Sequence, residues 1–235
     1  MKIAVINFSG NVGKTTIARH LLAPRVPGAE IIQVESVNSD DGPSIQEALR
    51  GKQFSMLLDA LAVTESAVVD VGASNAEDFL NKMQQYHGSH EDFDLFVVPA
   101  VARVKQQRDT ISTIEALHGL GVQPKKIKVV LNLLEHDDLP ESVFAGLAAY
   151  SKESKTFSFN ARAAIRASEI FAKIGQTGQT IADLLSDQTD FKAQLIAAQS
   201  QEEKVRISRL IGLRRLAGGV YEEMDAVFKT ITAGA

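Results

Sequence analysis

The sequence predicts an α/β fold: a doubly wound, mostly parallel sheet with a C-terminal helical extension. Short apolar runs rich in β-branched residues recur at 2–7, 29–35, 67–72, 94–99 and 126–132, and segments of helical spacing separate them. Parallel neighbours need such crossovers, so the alternation points to a sheet covered by helices on both faces. From Asp190 onward an apolar stripe of helical period runs with no further strand pattern.

Taken in order, 2–7 is a continuous apolar run, followed by a glycine-containing loop and a helix over 15–22 that Pro24 ends. The second strand, 29–35, closes on the polar stretch 36–42. Over 44–61 the spacing of Ile45, Leu49, Met56, Leu57 and Leu61 predicts helix with a break near Gly51. Residues 67–72 make a β-branched strand that stops at Asp70 and Gly72. Helices are predicted at 76–86 and at 104–118, the second halted by Gly119 and Gly121. Past Pro140 the pattern predicts a helix over 141–150, a last strand over 155–159 and a helix over 161–174. The final stripe is interrupted at Gly218-Gly219. No repeat or low-complexity linker marks a boundary, so 1–235 is expected to be a single domain, with 190–235 a helical tail packed on it.

Hydrophobic residues make up 45% of the 235-residue chain and charged residues 23%, an ordinary globular balance. A net charge of -4 gives no global attraction to nucleic acid. The absence of cysteine excludes disulfides, thiolate metal sites and cysteine nucleophiles. The N-terminal apolar run meets glycine too early for a signal peptide and no later stretch could span a bilayer, so a cytoplasmic protein is expected. His20, His87, His90, His118 and His136 lack metal-ligand spacing.

The chemistry concentrates in Phe8-Ser9-Gly10-Asn11-Val12-Gly13-Lys14-Thr15-Thr16. A triphosphate needs many donors close to its oxygens, and a glycine-containing loop that opens a helix supplies backbone N–H groups and the positive end of the helix dipole. Gly10 to Lys14 suit that role. Lys14 would reach the β- and γ-phosphates of ATP, Thr15 would place its hydroxyl on Mg²⁺, and Thr16 could contact the α-phosphate. The strict pattern GxxxxGK[ST] asks for glycine where this chain has Phe8. Asp70 ends the third strand, at the edge where open α/β sheets bind ligands.

The loop resembles the deviant Walker A motif of the ParA/MinD superfamily of P-loop ATPases, usually KGGxGKT[ST], and 1–24 is most similar to the StbB group of plasmid stability proteins of conjugative plasmids. The resemblance covers roughly the first two-thirds of the chain. It implies a P-loop NTPase fold and assigns further residues. Glu35, at the end of the second strand, would orient the attacking water, with Asp40 and Asp41 as fallbacks. Asp70 would be the Walker B carboxylate holding the Mg²⁺ shell together with Thr15, and the N–H of Gly72 would sense the γ-phosphate. Asn132 would contact the base, its amide offering donor and acceptor. At Ser9 the chain departs from the family, whose lysine reaches across an ATP-sandwiched dimer to stabilise transition-state charge. Serine cannot replace that cation. Lys105, Arg103 or Arg108 are candidate substitutes.

The implied function is a ParA-like ATPase switch in plasmid stability, positioning or conjugative transfer, with a nucleotide-dependent homodimer and a plasmid-encoded DNA-binding partner. The alternatives are a nucleotide-gated binding module with little or no hydrolysis, and a small-molecule kinase or ATP-dependent ligase. Arg206, Arg209, Arg214 and Arg215 lie among apolar residues, in a pattern that fits either a solvated cationic face or direct contact with DNA phosphates or anionic lipid.

Overall fold

Near-continuous apolar strands separated by helices fold into one six-stranded sheet, as seen in a computed structural model that describes residues 1–34, 54–175 and 179–233. The strands are β1 (Lys2–Val5), β2 (Glu30–Val34), β3 (Ala67–Val71), β4 (Leu95–Ala100), β5 (Ile127–Leu134) and β6 (Ala164–Arg166). They lie in the order β2-β3-β1-β4-β5-β6, and every pairing is parallel. β3 and β4 are buried at every position, as a parallel sheet covered on both faces requires.

Helix α1 opens at Lys14–Thr16 and widens into a π-type turn, Ile17–Leu22, before Pro24 ends it in a 3₁₀ turn, Ala23–Arg25. Its Ile17, Ala18, Leu21 and Leu22 are fully buried. The crossovers that follow are α2 (Phe54–Val63), α3 (Ala76–Gln85) and α4 (Val104–Gly119), then the short α5 (Pro140–Val143) and α6 (Ala145–Ser154). One large core gathers Phe54, Phe79, Phe93 and Phe96 with Val69, Val71, Val98, Ile114 and Leu131. Its aromatic rings meet at tilted or edge-on angles, with centroids 5.2–6.3 Å apart.

The remaining helices are α7 (Ile170–Gly175), α8 (Ile181–Ser186), α9 (Phe191–Ala197) and α10 (Gln201–Thr232). The chain forms two compact units, Met1–Ala167 with Ala226–Ala235, and Ser168–Asp225. In the second, a capping box between Thr180 and Asp183 starts α8, and Asp190 caps α9 by accepting from the N–H groups of Lys192 and Ala193. Among the described residues no helix is long and apolar enough to cross a membrane.

Three local expectations differ from the structure. The last strand is 164–166, not 155–159. Lys155 takes the left-handed conformation that ends α6, and the Ser151 hydroxyl then donates to Phe157 O and accepts from Phe159 N–H, occupying backbone groups a sheet would have used. The helix predicted over 161–174 begins only at Ile170, because Ala164–Arg166 joins the sheet beside β5. Gly218-Gly219 does not break α10: Ala217, Val220, Met224, Val227 and Ile231 are buried in phase on either side of the pair, and that burial outweighs the modest helix penalty of glycine. The helix expected over 44–53 lies outside the described residues, as do Glu35, Asp40 and Asp41.

Candidate functional site

β1 sits between β3 and β4, where the strand order reverses, and its carboxyl end delivers the chain into the crevice that open α/β sheets offer to ligands. The loop beyond it is fastened at nearly every residue. Asn7 is fully buried. Its Nδ2 donates to Pro99 O at 2.8 Å and to Thr110 Oγ1 at 2.9 Å, and its Oδ1 accepts from Ser9 N–H at 2.7 Å. Phe8 N–H donates to Thr113 Oγ1 at 3.1 Å, Ser9 Oγ donates to Asp109 Oδ2, and Gln106 Nε2 donates to Gly10 O at 3.0 Å.

All the α4 partners in this set, Gln106, Asp109, Thr110 and Thr113, share one face at i, i+3, i+4 and i+7 spacing. The hydroxyls of Thr110 and Thr113 donate to the carbonyls one turn back, Gln106 O and Asp109 O, which leaves their lone pairs facing the loop. This stripe and Asn7 have no counterpart among the sequence-predicted site residues. The available signal was a pair of threonines, 110 and 113, on a helix face whose other residues, such as Ile114 and Leu117, are core.

Two loop residues turn left-handed, Asn11 at φ 57 and Gly13 at φ 84. Gly13 is required twice over. Its backbone lies where side chains strain the chain, and a Cβ there would overlap the amide of Asn132. Asn132, buried at the end of β5, donates Nδ2 to Val12 O at 2.9 Å. The residue expected to contact a base holds the phosphate loop through one of its amide N–H groups.

Lys14 is 7% exposed, and its Nζ donates to Ser9 O at 2.7 Å and Asn7 O at 3.2 Å. Burial pushes its pKa below the ordinary value, and the carboxylate of Asp70 opposes that shift in part. Thr15 Oγ1 donates to Asp70 Oδ2 at 2.7 Å, so residues fifty-five positions apart meet because β3 pairs with β1 in the register Val5↔Asp70. Gly72 lies at the same edge, with its N–H donating to Val34 O at 2.8 Å as a continuation of the β2–β3 ladder.

Arg103, Lys105 and Arg108 are exposed on or beside the first turns of α4. Of the arginines at 206, 209, 214 and 215, Arg214 is folded inward: it pairs with Asp187 at 3.3 Å, donates to Thr189 O at 2.9 Å and lies 4.5 Å over the Phe191 ring. The other three are exposed.

The site fits a polyphosphate with a hard divalent cation. Thr15 and Asp70 present adjacent oxygens of the kind magnesium prefers. Lys14 is a buried ammonium whose identified acceptors, Asn7 O and Ser9 O, are neutral carbonyls, and an anionic oxygen would hold it more strongly. Val12 O, which would repel an anion, is held by Asn132.

No family model and no curated protein matches the chain. Solved structures do. The MinD cell division protein of Aquifex aeolicus aligns with a TM-score of 0.51 at 14% identity, over 92% of this chain and 97% of that one. The pnob8 ParA structure aligns with a TM-score of 0.48 at 11% identity over 97% and 98%, and apo McdA of Cyanothece with 0.47 at 16% over 95% and 98%. At such identities the likeness is one of fold, and the parallel sheet with its flanking helices matches the ParA/MinD P-loop NTPase fold.

Proposed function

We propose that this protein is a ParA-like ATP-binding switch with ATPase activity. The observation that carries the reading is the meeting of Thr15 and Asp70 at 2.7 Å beside the buried Lys14, at the carboxyl edge of β1 and β3. The β1–β3 register brings a threonine after a glycine-lysine pair against an aspartate near the strand's carboxyl end, and a magnesium-nucleotide site needs both. Thr15 and Asp70 would hold the metal, which would supply positive charge to offset that of the phosphates.

The chain's own residues divide the rest of the work. Lys14 exchanges the carbonyls of Asn7 and Ser9 for phosphate oxygens. Gly13 gives the loop its left-handed turn, and Asn132 occupies the Val12 carbonyl. The α4 stripe fixes the loop so that little reorganisation accompanies binding, which favours affinity. Thr16 contacts the α-phosphate, Gly72 responds to the γ-phosphate, and Glu35 orients the attacking water.

A second reading, a nucleotide-gated module that scarcely hydrolyses, is favoured by one specific contact. Where the family resemblance expects a trans-acting lysine, Ser9 hydrogen-bonds Asp109 and supplies no cation. In either case the ATP-bound state differs in self-association or partner binding, in a cytoplasmic role in plasmid stability, positioning or conjugative transfer, with a plasmid-encoded DNA-binding protein as partner.

The test combines light scattering with phosphate release, without nucleotide, with ADP and with ATP-Mg²⁺. The switch reading expects a change in mass that only ATP produces. Steady phosphate release alongside it assigns the ATPase, and its absence, with DNA and the DNA-binding partner present, assigns the gated module. An unchanged mass in all three conditions, together with ADP formation only when a metabolite is added, would replace both with a metabolic kinase or ligase.

A further inference from the structure

The phosphate loop carries one polar side chain with no task in the fold. Asn11 is exposed, its backbone is left-handed at φ 57, and among the described residues nothing hydrogen-bonds its amide. The amides of Asn7 and Asn132, by contrast, fasten the loop. A backbone N–H donor at position 11 needs no side chain, and glycine takes a left-handed φ more readily than asparagine does. In the pattern KGGxGKT[ST] that the loop resembles, glycine stands where this chain has Asn11. The amide is therefore surplus to both the turn and the backbone donors.

Its surroundings are fixed. Lys14 Nζ lies 2.7 Å from Ser9 O, so the ammonium assigned to the β- and γ-phosphates rests against the start of the loop, on the arm to which Asn11 belongs. Thr16, assigned to the α-phosphate, sits on the other arm, inside the helix. Gln106 holds Gly10 O and Asn132 holds Val12 O, so the carbonyls before and after Asn11 are both tied to the body of the protein. An asparagine side chain is short, and in every rotamer its amide stays at the tip of the loop. On this arm Ser9 offers no cation, since its hydroxyl is bound to Asp109. A terminal phosphate drawn there by Lys14 meets the two N–H groups of the Asn11 amide as the remaining side-chain donors of the arm.

We propose that the side-chain amide of Asn11 donates to the γ-phosphate and makes the site favour a nucleoside triphosphate over the diphosphate. The proposal rests on the nucleotide-binding reading above. A neutral amide bonded to an anionic oxygen makes a charge-assisted hydrogen bond, so it strengthens the hold on the third phosphate. It brings no positive charge of its own, so it does not replace a cation that would offset charge developing during transfer. Asn11 thus separates recognition of the triphosphate from its hydrolysis, and serves the switch and the slowly hydrolysing module alike.

The experiment is titration of wild type, Asn11→Gly and Asn11→Asp with ATP-Mg²⁺ and with ADP-Mg²⁺, alongside thermal unfolding of each protein without nucleotide. Glycine accepts the left-handed backbone, so Asn11→Gly should melt within about 2 °C of wild type. Wild type should bind ATP more tightly than ADP. Asn11→Gly should lose about tenfold in ATP affinity, as expected for a hydrogen bond to a charged group, and keep its ADP affinity within about twofold. Asn11→Asp retains the shape, removes the donor and sets a carboxylate against the phosphate, so its ATP affinity should fall further than that of Asn11→Gly, and by more than its own ADP affinity. Equal wild-type affinity for the two nucleotides, unchanged ATP affinity in Asn11→Gly, or losses of equal size for ATP and ADP would overturn the proposal and leave the phosphate site standing. Binding of neither nucleotide by wild type would remove the nucleotide-binding reading and this proposal with it.

Discussion

Replacing Gly13 by alanine probes the phosphate loop at the point where backbone and side-chain constraints coincide. Alanine at φ 84 costs about 1 kcal/mol in backbone strain. The added Cβ overlaps Asn132 Nδ2, so the amide must move and its bond to Val12 O is lost. Leaving that buried pair unsatisfied costs about a further 2 kcal/mol. A total of about 3 kcal/mol in a chain of this size lowers the melting temperature by about 6–12 °C. Gly10→Ala is the internal control: nothing lies within 4 Å of a Cβ there and its φ is not positive, so its effect should stay within about 0.5 kcal/mol. The assay is thermal unfolding of Gly13→Ala, Asn132→Ala, the double variant and Gly10→Ala. Because the clash disappears with the amide, the double variant should lose less than the two single losses combined. A Gly13→Ala protein melting within about 1 °C of wild type, or strict additivity, would refute the reasoning.

Further outcomes are expected elsewhere in the site. Asn7→Ala strips Pro99 O, Thr110 Oγ1 and Ser9 N–H of a buried partner, so denaturant titration should show a loss of about 2–4 kcal/mol; a loss below about 1 kcal/mol would mean the loop is not fastened through Asn7. Asp70→Asn should abolish the difference in ATP affinity between magnesium and chelator that wild type displays, and a difference that persisted would place the metal elsewhere. The depressed pKa of Lys14 gives a pH effect with a definite sign. Burial disfavours the charged form in the folded state, so between the lowered value and the ordinary 10.5 the unfolded chain binds more protons, and stability relative to Lys14→Met should rise with pH across that window. Phosphates favour the ammonium, so ATP affinity should fall over the same range; a flat wild-type-minus-variant profile would show that Lys14 is not desolvated.

The sequence carried the architecture because strand runs and crossover helices alternate in it, and it marked the loop because glycine, lysine and threonine there follow the first strand directly and open a helix. Asp70 was legible for the same reason, as a lone acid at the end of a β-branched strand. Asn132 was legible in position, but only the fold shows that its amide reaches a carbonyl 120 residues away. The latch from α4 was invisible, because Gln106, Asp109, Thr110 and Thr113 read in one dimension as an ordinary polar helix face, and only the packing of that face against the loop gives it meaning. The displaced last strand had a similar cause. A single hydroxyl, Ser151, satisfied the backbone of 157–159 and left the sheet edge to a segment whose pattern looked helical.

The most direct test of the central claim is calorimetric titration of ATP-Mg²⁺ into wild type and Lys14→Ala. The expected result is saturable binding at one site per chain in wild type and affinity at least about a hundredfold weaker in the variant, the loss of a charge-assisted contact to phosphate. No heat of binding in wild type, or equal affinity in the two proteins, would contradict it.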